Sequence, residues 1–482
     1  MGTRFKYRQI ADHLARGIRA GVTGPGERLP SLREACRTYG ASLMTALAAY
    51  RHLEATGLVE ALPRSGFRVR PRLPAPLEQP PTRRPRLHAF SDARAELTAE
   101  LLATMADPAL VPLGSGWPSA DHFPAPAFRR LTSRLLRGPG AGPWTRCSPP
   151  RGDPELRRLV ARRYRARGMD VGPDDVLVTT GAMEALALSL RLLVKPGDVV
   201  AVECPTFFGV LDAARSAGAR VVELPADPAG GPDPAGLAAA CRRHAVRAAV
   251  LAPTFANPAG SLMDDARKAA WREALRAEGV ALVEDDVYGE LAWDGRRHAP
   301  LCAPRGRDEP PGILVGSFSK TLLPGGRVGY AIAPGPWIDA LADLKNITTL
   351  AAAPLAQALV ARFVGDGAYD RHLRRLRPRL QAEVEAMRAL VARHFPAGTR
   401  VSDPRGGYFL WVELPPGAAD GLALFHAAAR HGIGVAPGCL FSLGGGLDRF
   451  VRLNAALAGD VEPAVRTLGR LASDPAARAA GA

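Results

Sequence analysis

With 482 residues, 47% of them hydrophobic, the chain exceeds what one core supports and can build two or more. No apolar stretch approaches the roughly 20 residues that span a bilayer, and the amino-terminal segment lacks the apolar core of a signal peptide, so a cytoplasmic protein without membrane spans is expected. A formal net charge of +16 favours an acidic partner such as nucleic acid, and six scattered cysteines without zinc-site spacing read as reduced thiols.

Ile10, Leu14 and Ile18 recur every fourth residue and predict a helix that Gly21 ends. Ser31 with Glu34, after Pro30, is a capping box, so a second helix is expected from about residue 32 to Tyr39. Gly40 breaks it, and Ser42 caps a third helix running through Leu43, Leu47, Tyr50 and Leu53 to Gly57. The alternating runs 58–61 and 66–70, on either side of Pro63, Arg64 and Ser65, predict the two strands of a hairpin. Helix, helix-turn-helix and hairpin together make a winged helix-turn-helix over residues 1–72. That segment carries 13 Lys and Arg against 5 Asp and Glu, a net of +8, so half of the excess charge lies in about a seventh of the chain. Such concentration favours double-stranded DNA as partner.

Residues 73–94, rich in proline and arginine and without hydrophobic period, are expected to be a linker. From 95 to 472 strands alternate with helices, leaving a short tail at 473–482. The apolar runs 176–180, 199–202, 221–224, 248–252, 280–283, 313–315 and 328–332, separated by helical segments, predict an α/β domain with a mostly parallel sheet covered on both faces.

Ligands in such sheets sit beyond the carboxyl ends of the strands. After run 176–180 comes Gly181, Ala182 and Met183, a tight turn into a helix that suits a phosphate, although many such turns bind nothing. After 199–202 comes Phe207, which could face a flat ring or fill the core. Asn257 follows 248–252 and could donate to a ring oxygen or simply build its turn. Asp285 and Tyr288 follow 280–283, where a carboxylate could cap a helix or hold a protonated ring nitrogen. After 313–315 come Ser317, Ser319 and Lys320, with Arg327 seven residues beyond the lysine. Only five of the 63 Lys and Arg residues are lysines, so one in a loop of serines and glycines stands out. Lysine can lose its proton and become the nucleophilic amine a Schiff base needs, whereas arginine cannot. Read alone, the segment also suits a solvated loop.

In that order (phosphate turn, aromatic, Asn, Asp and Tyr, Ser-x-Ser-Lys, Arg) the residues resemble the fold-type I aminotransferases that use pyridoxal 5'-phosphate. With the winged helix ahead of them, the chain resembles the MocR branch of the GntR regulators. The resemblance implies a seven-stranded, mostly parallel sheet in a large part at about 140–345. A smaller α+β part would come from about 95–139 and 346–472. It implies that Lys320 carries the cofactor as an internal aldimine and that Asp285 pairs with the pyridine nitrogen. Tyr288 and Asn257 would bond the phenolic oxygen, and Phe207 would stack on the ring. Gly181, Ala182, Met183, Ser317, Ser319 and Arg327 would hold the phosphate, and Arg452 would grip an amino-acid carboxylate. On DNA it implies contacts from Ser31, Arg33, Ser42 and Thr45, and from a wing tip of Arg64, Ser65 and Gly66. The chain departs from the family pattern at Leu43, where arginine is common, and at Cys147 and Phe207, where tyrosine is. Ala256 stands where glutamine is frequent.

The implied function is a homodimeric DNA-binding transcriptional regulator that senses an amino acid, an amine or the cofactor itself. An active aminotransferase with a fused DNA-binding domain, and a DNA-binding dimer whose large domain only dimerises, are the alternatives.

Overall fold

A computed structural model describes residues 6–474 apart from 25, 63–65, 71–74, 78–84, 89, 138–141, 143–144, 146 and 304–311. The chain divides into two compact units, Met1–Pro74 and Ala75–Ala482. In the first, helices Lys6–Arg19, Leu32–Tyr39 and Leu43–Ala55 precede antiparallel strands Val59–Leu62 and Gly66–Val69. Local chemistry sets these bounds. Ser31 and Glu34 complete the capping box, Gly40 closes the second helix at φ 55°, and the Ser42 hydroxyl accepts the Thr45 N–H at 3.2 Å. Ile10 and Leu14 of the first helix join Ala46, Ala49, Tyr50 and Leu53 of the third in one core, and the Tyr50 hydroxyl donates to the Pro30 carbonyl at 2.8 Å.

In the second unit all seven expected strands form. Among the described residues, however, the sheet has nine strands, not seven. Its order is Arg86–His88, Arg220–Asp227, Val199–Cys204, Val246–Leu251, Ala281–Asp285, Gly312–Ser317, Gly329–Ile332 and Val176–Thr179, with Gly231–Pro232 hanging on Arg220–Asp227. The five strands from Arg220–Asp227 to Gly312–Ser317 run parallel, and Gly329–Ile332 opposes both of its neighbours. Helices Ala182–Leu193, Phe208–Ser216 and Gly335–Asn346 cover one face, and Pro234–Cys241 and Asp265–Glu278 cover part of the other. Burial on both faces is why the strands read as continuous apolar runs.

A five-stranded second sheet has the order Ala436–Pro437, Phe450–Asn454, Phe409–Glu413, Arg400–Val401 and Ala75–Pro76. Residues 73–94, expected as a linker without regular structure, therefore place a strand on the edge of each sheet, at Ala75–Pro76 and Arg86–His88, and enter helix Asp92–Ala106. The reason is packing. Leu87 and Phe90 rest against the cores on the two faces of the large sheet, and an open sheet edge offers unpaired N–H and C=O groups to any extended segment. Of the expected tail, residues 475–482 lie outside the described residues. Among the described residues no helix is long and apolar enough to cross a membrane.

Candidate functional site

The strands deliver their carboxyl ends to one cleft. All residues expected to hold the cofactor line it except Gly181, and Trp117 joins them. Gly181 stands directly behind Arg327, because a Cβ on Gly181 would fall 2.4 Å from the Arg327 Nη2.

One end of the cleft is built for an anion. Helix Ala182–Leu193 begins after Gly181, whose φ is 83°, with no side chain capping its first N–H groups. The Ser317 hydroxyl donates to the Ser319 Oγ at 3.0 Å, and the Arg327 Nη1 donates to the same oxygen at 3.3 Å. Glu184 accepts the Thr180 N–H and is held in turn by the fully buried Lys345, whose Nζ lies 2.9 and 3.0 Å from the two carboxylate oxygens. Lys345 was visible in the sequence only as a rare lysine. Gly181→Ala is expected to cost about 1–3 kcal/mol through backbone strain and to push Arg327 aside. A lower melting temperature together with weaker phosphate-ester binding checks both effects.

At the other end Phe207 packs its ring 4.7 Å from Phe208. Asp285 accepts the Val287 N–H at 3.1 Å, and burial, aided by Asp286 and Glu284, pushes its carboxyl up to about 6 against the pull of Lys320. Burial first, then Arg452 and Arg327, holds the Lys320 amine well below the usual lysine value, with Asp285 opposing. The Lys320 Nζ donates to the Gly116 carbonyl at 2.8 Å and lies 3.4 Å from the centroid of the Trp117 ring. The Tyr408 hydroxyl donates to the same carbonyl at 2.9 Å. Sequence reasoning missed Trp117, although the run Gly114, Ser115, Gly116, Trp117, Pro118 is a small-residue turn with an aromatic at its end.

Arg452 is fully buried, and burial lowers its guanidinium to about 10, so it stays charged at neutral pH. It donates to the Asn257 Oδ1 at 2.9 Å and the Gly114 carbonyl at 2.6 Å and lies over the Phe409 ring. Its Nε has no partner and no carboxylate pairs with it among the described residues. A buried cation without an anion is costly unless a ligand completes it.

The residues expected on DNA belong to the first unit and those of the cleft to the second. Ser42 and Thr45 open helix Leu43–Ala55 with their hydroxyls 2.8 Å apart, and Arg33 is exposed on Leu32–Tyr39. Leu43 and Met44 are 55% and 73% exposed, so an apolar first turn takes the place of the arginine common in the family. Gly66 opens its strand at φ 88°, whereas Arg64 and Ser65 lie outside the described residues.

Residues 109–468 match the family model for class I and II aminotransferases, and residues 6–69 match that of the gntR family of bacterial regulatory proteins. The chain belongs to the class I and II aminotransferase family and carries a GntR-family amino-terminal domain. Within that family it is 35% identical to the HTH-type transcriptional regulator YdcR of Escherichia coli, over 97% of this chain and 98% of that one. It is 28% identical to the probable rhizopine catabolism regulatory protein MocR of Rhizobium meliloti, over 89% and 86% of the two chains. Among solved structures it resembles LysN, an alpha-aminoadipate aminotransferase of Thermus thermophilus complexed with N-(5'-phosphopyridoxyl)-L-leucine. The TM-score is 0.72 at 30% identity, covering 79% of this chain and 96% of LysN. This GntR–aminotransferase arrangement is that of the MocR-type regulators.

Proposed function

We propose that the protein is a transcriptional regulator whose GntR unit binds double-stranded DNA and whose cleft holds pyridoxal 5'-phosphate and senses an amino acid or amine. The observation that carries this reading is a single cleft joining a readily deprotonated lysine and a buried aspartate, with a buried arginine that has no carboxylate partner among the described residues bonded to Asn257 of the cleft wall, on a chain with a winged helix.

The residues fit that cofactor. An uncapped helix N-terminus, two serine hydroxyls and Arg327 suit a phosphate, and the orphaned Nε of Arg452 suits a ligand carboxylate. Bound there, pyridoxal phosphate supplies an aldehyde that captures amines and a ring that withdraws electrons. The chain's own residues do the rest. Lys320 would present an amine that burial makes easy to deprotonate, Asp285 would hold a ring-nitrogen proton, Tyr288 and Asn257 would bond the phenolic oxygen, and Phe207 would cover a ring face. Arg452 selects ligands with a carboxylate. A homodimer acting in the cytoplasm, where its DNA is, completes the reading.

The near-complete catalytic set also supports turnover as an aminotransferase, for which oxo-acid release over many cycles is the measurement. For the regulator, affinity for DNA from the protein's own promoter region is expected to change when pyridoxal phosphate and an amino acid are added. Arg33→Ala is expected to reduce the slope of log affinity against log salt by about 1. DNA binding that is identical with and without cofactor and every amine would refute sensing.

A further inference from the structure

Asp285 borders not only the cleft but a second cavity of about 10 Å³, room for one water. The other carboxyl group of that cavity is Glu203; Thr206, Asn257 and Tyr288 also form its wall, and Val210 and Val250 make part of it apolar. Glu203 lies near the end of strand Val199–Cys204 and is 2% exposed. Its Oε1 accepts the Ala252 N–H at 3.1 Å, while its Oε2 has no partner among the described residues. No lysine or arginine lines the cavity.

Two carboxyl groups that line one small cavity with no cation in its wall disfavour each other's charge. Asp285 has the Val287 N–H and, from the end of strand Gly312–Ser317, Lys320 to support a charge, against Glu284 and Asp286 beside it. Glu203 has one backbone N–H, and the titratable groups that share the cavity with it are Asp285 and Tyr288, neither of them a cation. Burial and then Asp285 hold its carboxyl well above the usual carboxylate range, in the same direction as the geometry.

We propose that Glu203 is a positioning residue for Asp285: it keeps its proton, presents it to the shared cavity, and thereby leaves the negative charge of the pair on Asp285. The inference rests on the reading of the cleft as a pyridoxal phosphate site. Glu203 is not among the residues that line the cleft and would act through Asp285.

Two measurements on wild type, Glu203→Gln and Glu203→Ala test it. The first is the melting temperature of cofactor-free protein between pH ~6 and ~9. A carboxyl group raised in the folded state contributes stability that is present below its unfolded value and lost as pH rises through its folded one. Wild type is therefore expected to lose stability relative to Glu203→Gln as pH rises, Asp285 being common to both. The second is the dissociation constant for pyridoxal phosphate. At neutral pH the glutamine amide replaces the protonated carboxyl, so Glu203→Gln is expected to bind within about twofold of wild type, and Glu203→Ala about tenfold more weakly, the worth of one hydrogen bond. At pH ~9 wild type is expected to weaken relative to Glu203→Gln. A wild-type-to-Gln melting gap that does not change with pH, or a Gln variant as weak as Ala at neutral pH, overturns the proposal. Should Glu203→Ala not fold, the wild-type and Gln comparison decides alone. Wild type that binds no pyridoxal phosphate refutes the cofactor reading instead, and the melting gap still judges Glu203.

Discussion

Lys320→Ala is expected to abolish the borohydride-reducible attachment of pyridoxal phosphate and the visible colour that goes with it. Lys320→Arg is expected to fail equally, since a guanidinium does not deprotonate in proteins. Peptide mass spectrometry after reduction reads the result directly: the cofactor mass sits on the Lys320 peptide of wild type and on no peptide of either variant. Two other buried lysines make poor substitutes. Lys345 is held by Glu184 and Thr349, and Lys268 donates to the Ala299 carbonyl at 2.7 Å. Residual, non-covalent binding is expected in Lys320→Ala, because the Ser317, Ser319 and Arg327 end of the cleft is untouched. Reducible cofactor found elsewhere on the chain would show that Lys320 is not the attachment point.

Arg452→Ala is expected to weaken binding of amino-acid ligands by about 10- to 100-fold, the worth of a charge-assisted pair of hydrogen bonds. Amines that lack a carboxylate are expected to bind the variant as they bind wild type. Arg452→Lys, which keeps the charge and most of the volume while losing the planar fork, tests whether the loss is geometric, and is expected to recover only part of it. Titration of the bound cofactor's absorbance with matched amino acid and amine pairs gives both numbers. Equal weakening for both ligand classes would mean that the substitution damages the packing around Phe409 and Asn257, with no carboxylate site lost. Because Arg452 stays charged at neutral pH despite its burial, the discrimination is expected to persist across the neutral range.

Local signals in the first unit carried its structure almost to the residue. Ser31 with Glu34, Gly40 and Ser42 each act within one turn of backbone, so reading them needs no knowledge of distant contacts. The seven apolar runs of the second unit were legible for a related reason. Strands buried on both faces leave no polar side to break the run, and five of the seven are followed by residues that line the cleft. Arg452, in contrast, was assigned through the resemblance alone, and nothing in its own segment announces its full burial. Trp117 and Lys320 meet although about two hundred residues separate them, and no local pattern announces that pairing. Nothing in the sequence marked Glu203, whose Oε2 has no partner among the described residues and whose shared cavity exists only in the packed fold.

The order of chemically apt residues after successive strands, and the caps and charge of the winged helix, were determined by the sequence alone, because both depend on chain-local backbone geometry. Whether a cation is buried without an anion, whether two carboxyl groups share one cavity, and where a proline-rich segment finds a sheet edge were decided by the tertiary structure. Those are questions of desolvation and of distance between segments far apart in the chain, and only the packed fold sets either quantity.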